Sequence, residues 1–154
     1  ALVERSSFAR EAVLDQVRNA AFLRTVPVFQ TLSARLMSTL LGGVDVVRED
    51  AGATIVQEGE RGDAMYVIRE GNCDVLRDRD GTEDHISTLG PGDWFGEIAL
   101  LRGIKRTATV RTTANAVLVR VPGGVLDDVL LEDFQIGLSL ERAMAQRLVA
   151  LELR

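Results

Sequence analysis

Within FGEIALLRGIKRTATV, residues 95–110, a carboxylate at Glu97 and a guanidinium at Arg106 bracket a short apolar run. Neither charge is needed to build a core, so the chemistry they offer together is the first question. A carboxylate accepts hydrogen bonds from hydroxyls, and a paired hydroxyl such as that of a ribose suits it. A guanidinium presents a planar fork of donors that matches phosphate. Gly96 lets backbone approach a ligand closely or adopt positive φ. Glu97-Ile98-Ala99-Leu100-Leu101 is long enough for one helical turn, whose free N–H groups also suit an anion. Thr107 adds a hydroxyl and Ala108 keeps the wall small. Taken singly, Glu97 reads as a carboxylate favoured by a helix dipole and Arg106 as a solvated strand residue. Their joint occurrence around a glycine-entered helix points instead to a sugar phosphate carrying a base.

Other reactive side chains are sparse. His85 is the only histidine, and with no second histidine or cysteine beside it, a zinc site or a catalytic triad has little to build on. It reads as a polar strand residue. Cys73 is the only cysteine, which excludes an intrachain disulfide and fits a reducing compartment. Its place in a strand-like run predicts an inert, half-buried thiol. A phosphodiesterase would need metal ligands that this pattern lacks, so no enzymatic activity and no metal or cofactor are expected.

The elements that must position these residues follow from pattern. The chain has 154 residues, 46% of them hydrophobic, enough for one domain with a core. Its 18 basic and 23 acidic residues give a net charge of −5, which offers no general attraction to DNA or RNA. No run approaches the roughly 20 apolar residues of a membrane span, and no secretory leader is read at the start. Ala1 in place of methionine, and a helical pattern still running at Arg154, read as part of a longer protein.

Residues 2–23 predict a helix, with Phe8, Ala9, Ala12, Val13, Val17, Ala20 and Ala21 at three- and four-residue steps. Pro27 interrupts it. Thr31 and Ser33 offer caps to a second helix through Leu36, Met37, Leu40 and Leu41, stopped by Gly42-Gly43. From Val44 the period changes to many short β-branched strands, as in a sandwich or barrel. Tyr66 and Ile68 share one face, and Val117, Val119 and Val121 another. Asp80-Gly81 signals a hairpin. LDDVLL from Leu126 is a short helix, and Asp133 caps a last one whose Leu140, Met144, Leu148 and Leu151 form a stripe. The plan is helix, barrel, helix, with a helical segment over 1–26 and the main domain over 27–154.

The segment GPGDWFGEIALLRGIKRTATV, Gly90–Val110, resembles the phosphate-binding cassette of cyclic nucleotide-binding domains. The spaced glycines of AGATIVQEGERGDAMYVIREGNCDV (Gly52, Gly59, Gly62 and Gly71) are similar to those of the same family. The likeness runs from about Phe29 to the C-terminus. It implies a mainly β fold with flanking helices, an eight-stranded β-roll of jelly-roll type with N-terminal helices and C-terminal lid helices. By position it implies that Glu97 binds the ribose 2′-hydroxyl, and that the amides of Ile98 and Ala99, with Arg106, hold the cyclic phosphate. Phe95 and Gly96 enter the cassette, Thr107 and Ala108 line its wall, and apolar residues of the barrel face the base. Arg147 and Leu151 are the expected lid contacts. One departure is visible: such domains often place proline before the phosphate arginine, and here Lys105 stands there.

Thr107 makes cGMP possible, since its hydroxyl could reach a guanine amino group, without excluding cAMP, which is favoured. The resemblance implies a regulatory domain that relays occupancy through its helices to an effector on the same parent chain, such as a transporter or channel. That implies a cytoplasmic place, including the cytoplasmic side of a membrane protein, and leaves a homo-oligomer open. Two alternatives stay beside it: the sensor part of a cAMP-responsive transcription regulator without its helix-turn-helix, and a degenerate domain used only for interaction.

Overall fold

The computed structural model describes the backbone of residues 2–152, and side chains at residue 7 and from 9 to 149. Helix α1 (Leu2–Leu23) leads through a 3-10 turn at Pro27–Phe29 into α2 (Ala34–Gly43). The Ser33 side chain caps α2, accepting the Leu36 N–H at 3.2 Å. Gly42 and Gly43 form the last residues of α2 rather than lying beyond it, and Val44 ends the helix in extended conformation.

Eight strands follow: β1 (Asp45–Glu49), β2 (Thr54–Val56), β3 (Ala64–Glu70), β4 (Cys73–Arg79), β5 (Thr82–Leu89), β6 (Trp94–Phe95), β7 (Thr109–Thr112) and β8 (Ala116–Pro122). They form two four-stranded antiparallel sheets, ordered β1-β8-β3-β6 and β2-β7-β4-β5, rather than one closed barrel. This is the β-roll with flanking helices that the pattern and the resemblance imply. Asp80-Gly81 turns β4 into β5 with φ of 51° and 86°. Positive φ at both turn residues matches the twist of a two-residue hairpin.

Alternation on β3 and β8 sorts the core into two layers. Met65, Val67, Val119 and Val121 face the helices, where they pack with Leu23, Phe29, Leu40 and Leu140. Ile68 and Leu118 point the other way, into the space between the sheets, with Phe95, Val110 and Cys73. The first sheet is therefore buried on both faces. Helices α4 (Gly123–Glu132) and α5 (Phe134–Glu152) close the molecule, with the Asp133 carboxylate accepting the N–H groups of Gln135 and Ile136 at 2.9 and 3.3 Å. Leu140 and Met144 of the α5 stripe are fully buried, and Leu148 is half-buried.

The N-terminal helix is present over the span that its period predicts, but most of its apolar stripe faces outward. Ala9, Ala12, Val13, Val17 and Ala21 of its apolar stripe are exposed, Val13 and Val17 by 58% and 60%; only Ala20 is half-buried, and Phe8 lies outside the described side chains. Apart from Phe22 and Leu23 at its C-terminal end, which pack into the core, the packed face is polar. Asp15 accepts from Arg48 at 2.8 Å and from Arg69 at 3.3 Å, and Asn19 accepts from Arg69 at 2.7 Å. Arg69 projects from the roll with its side chain only 8% exposed, and a nearly buried guanidinium requires acceptors. That requirement, not hydrophobic period, chose which face of α1 turned inward.

Candidate functional site

The site is built where the first sheet hands the chain to the second. After β6, Gly96 takes φ 91°, a left-handed conformation open to glycine, and this turn starts α3 (Glu97–Arg102). Gly103, at φ 63°, ends it. Ile98 and Ala99 thus lie in the first turn of a one-and-a-half-turn helix, where N–H groups have no intrahelical acceptor. The chain then runs through Arg106 into β7.

Arg106 is 7% exposed, and backbone fixes it. Its Nη1 donates to the Gly96 carbonyl and its Nη2 to the Ala64 carbonyl, each at 2.8 Å. Its own N–H donates to the Glu60 carbonyl at 2.8 Å, while the Gly59 N–H donates to the Arg106 carbonyl at 2.9 Å. The loop between β2 and β3 therefore grips both backbone and side chain. Gly62 in that loop leaves room for the guanidinium: a Cβ there would lie 2.1 Å from the Arg106 Cζ and would displace it. Two of the five N–H bonds of the guanidinium are spent on these carbonyls, and the other three have no hydrogen-bond acceptor among the described residues. Burial pulls the Arg106 pKa below its ordinary value, with Tyr66 foremost among the groups opposing it.

Glu97 has no solvent exposure. Its Oε1 accepts from Arg147 Nη1 of α5 at 2.5 Å, whereas Oε2 is buried without a hydrogen-bond partner among the described residues. Burial pushes the Glu97 carboxyl above the ordinary carboxylate range, and the Arg147 guanidinium opposes that rise. Arg147 also donates through Nη2 to the Trp94 carbonyl and lies over the Trp94 ring, 5.6 Å from its centroid. The last helix is thereby tied to both β6 and α3.

These groups surround one cavity of about 300 Å³ between the sheets. Phe95, Gly96, Glu97, Ile98, Ala99, Arg106, Thr107, Ala108 and Arg147 all line it. Leu151, the other expected lid contact, lies outside the described side chains. The remaining wall is apolar (Val56, Val75, Ile86, Leu89 and Val110) with Ser87 as its one hydroxyl from β5. Strand period alone puts Ser87 and Leu89 on one face and Ile86 on the other. A bulge settles it: Val75 pairs with Ser87 and Leu76 with His85, so Ile86 is an extra residue that reaches the cavity too. No propensity in the sequence marks that bulge. Ala64, whose carbonyl anchors Arg106, also escapes sequence reading, because backbone acceptors carry no residue signature.

Cys73 and His85 take no part in this cavity. The thiol is fully buried rather than half-buried, and burial pushes its pKa up to about 11, so it stays protonated and unreactive at neutral pH. His85 Nε2 lies 3.1 Å from Asp74 and 3.0 Å from Thr88 on the strand surface. Among the described residues, no group of three His, Cys, Asp or Glu side chains could hold a metal ion, and no helix is long and apolar enough to cross a membrane.

Residues 46–133, more than half of the chain, match the family model described as the cyclic nucleotide-binding domain. The chain belongs to that family. A cyclic nucleotide-gated potassium channel from Rhizobium etli is 35% identical over 142 residues, covering 91% of this chain and 36% of the channel. A cAMP-dependent protein kinase regulatory subunit from Mycosarcoma maydis is 36% identical over 89 residues, covering 58% of this chain and 17% of that protein. Among solved structures, the regulatory subunit of a cAMP-independent protein kinase A from Trypanosoma brucei superposes with a TM-score of 0.77 at 26% identity, over 86% of this chain and 48% of that one. This cyclic nucleotide-binding domain thus spans about a fifth to a third of the length of the curated relatives it matches. The structural neighbour named cAMP-independent shows that family membership alone does not name the ligand.

Proposed function

We propose that this chain is a regulatory domain that binds a cyclic purine nucleotide, cAMP in preference to cGMP, and relays occupancy through its helices to an attached effector such as a channel or transporter. One observation carries the reading. A fully buried carboxylate keeps one oxygen unpartnered on the wall of the cavity that the guanidinium of Arg106 also lines. A buried acceptor left empty costs about 1–3 kcal/mol, and a ribose 2′-hydroxyl donating to Glu97 Oε2 removes that cost. The cyclic phosphate then lies against the three remaining Arg106 donors and the first amides of α3. The base rests on the apolar wall, with Arg147 at the entrance. Thr107 provides the hydroxyl that tunes cAMP against cGMP. A cavity of about 300 Å³ is at the small end of the roughly 300–1,000 Å³ of ligand pockets, which suits one nucleotide. The channel relative, alignable over 91% of this chain, supports a channel-type effector.

Titration calorimetry with cAMP and cGMP tests the proposal. The wild-type chain should bind both, cAMP more tightly, and Arg106→Ala should lose roughly 2–4 kcal/mol of affinity. Absence of heat with either nucleotide on a folded wild-type chain overturns it.

A further inference from the structure

Among the described residues two hydroxyls line the cavity, those of Thr107 and Ser87, and neither has a hydrogen-bond partner. Thr107 adjoins Arg106 at the phosphate end. Ser87 is half-buried on β5, and strand register gives its place. Val75 of β4 pairs with Val110 of β7 on one side and with Ser87 of β5 on the other. All three line the cavity, so they form one row across the second sheet. Two strand spacings, about 10 Å, separate the ends of that row. Arg106 and Thr107 precede the start of β7, so Ser87 lies across the cavity wall from the phosphate-binding groups. Glu97, Arg106 and Arg147 already have roles in the site, and Ser87 is the polar group on the wall that still lacks one.

We infer that Ser87 receives the 6-substituent of the purine base, an inference that rests on the cyclic nucleotide reading above. A base lying on Val75 and Val110 covers Ser87 as well, and a hydroxyl taken out of water without a partner costs free energy. The base must therefore present a polar atom at that point. With the ribose on Glu97 and the 2-position turned toward Thr107, the 6-position lies on the side of the ring away from the phosphate and faces β5. Its polar group is the amino group of adenine or the oxygen of guanine. A serine hydroxyl is both donor and acceptor. It accepts from the amino group of the one and donates to the oxygen of the other. Ser87 thus selects a 6-substituted purine without choosing between adenine and guanine, and preference between the two rests with Thr107.

Titration calorimetry on the chain tests this with three ligands: cAMP, cGMP and the 3′,5′-cyclic monophosphate of unsubstituted purine riboside, which carries hydrogen at position 6. Wild type should bind the unsubstituted compound roughly three- to tenfold more weakly than cAMP, the loss of one neutral hydrogen bond. Ser87→Ala should weaken cAMP and cGMP by a similar factor and leave the unsubstituted compound unchanged, because both changes remove the same contact. Ser87→Thr, which keeps the hydroxyl, should bind both nucleotides nearly as wild type does, and this separates a lost contact from a disturbed strand. The inference is overturned if Ser87→Ala binds cAMP and cGMP as wild type does, or if it weakens all three ligands equally. A folded wild type that binds neither nucleotide overturns it together with the cyclic nucleotide reading, so the two failures are told apart.

Discussion

At the residue scale, Glu97 combines three conditions that rarely coexist in a carboxylate: full burial, one oxygen on a guanidinium and the other without a partner. Burial raises its pKa against the opposing pull of Arg147. An acid with a raised folded pKa binds its proton more tightly folded than unfolded. Its contribution to stability is therefore greatest below the unfolded value and is lost as pH rises through the folded one. Ligand binding has the opposite sign, because a ribose hydroxyl needs the ionised acceptor. Affinity for cyclic nucleotide should fall as pH drops, beginning above the ordinary carboxylate range, and Glu97→Gln should flatten that dependence while binding more weakly throughout. Calorimetry between about pH 4 and 7 measures both, and an unchanged pH profile in the variant would remove Glu97 from the site.

At the element scale, the middle of α1 is held by polar contacts, whereas Phe22 and Leu23 at its end, like Leu140 and Met144 of α5, are held by apolar ones. Asp15 carries α1: its carboxyl is held below its ordinary value chiefly by the hydrogen bond from Arg48, with Arg69 adding to it. Asp15→Ala should cost about 1–2 kcal/mol, since it leaves the nearly buried Arg69 with Asn19 as its remaining partner on α1. The effect should appear as faster amide exchange in α1 and an earlier urea midpoint. Val17→Ser, on the stripe that period alone would bury, should stay within about 0.5 kcal/mol of wild type. Equal costs for the two variants would contradict the polar docking of this helix. Period made α1 legible as a helix; its inward face depended on Arg69, a β3 side chain 54 residues from Asp15 in sequence.

For the whole molecule, the relevant contrast is between a two-sheet roll whose first sheet is buried on both faces and a last helix anchored partly through the cavity. Leu140 and Met144 hold the first half of α5 in the core, while Arg147 holds the next turn through Glu97 and Trp94. A nucleotide hydroxyl on Glu97 reaches the same carboxylate that Arg147 grips, so occupancy and helix position are coupled through one side chain. A ligand shifts a conformational equilibrium only by its unequal affinity for the two states. Hydrogen exchange across residues 140–152 should therefore slow on saturation with cAMP, by more than in β1 and the distant half of β4. Exchange in α5 indifferent to nucleotide would make this helix packing alone, and the relay would then have to leave through α1 and α2.

Much of this protein was readable in its residues because the signals were local. Hydrophobic period and turn chemistry set the order of helices and strands: Ser33 and Asp133 cap helices, and Asp80-Gly81 turns a hairpin, through contacts spanning a few residues. The cassette from Phe95 to Ala108 was equally local, since glycine, carboxylate, short helix and arginine follow one another along the chain. Tertiary structure decided whatever depended on residues far apart. It divided eight strands into two sheets instead of one barrel, and it turned the polar face of α1 inward to satisfy Arg69. It seated Arg106 on the Ala64 carbonyl beneath a glycine that has no room for a Cβ, and it brought Arg147 across 50 residues to one oxygen of Glu97 while leaving the other unpaired. Local pattern cannot encode these, because a buried charge takes whichever partners the packed chain brings within hydrogen-bond reach, and that is known only once the chain has folded.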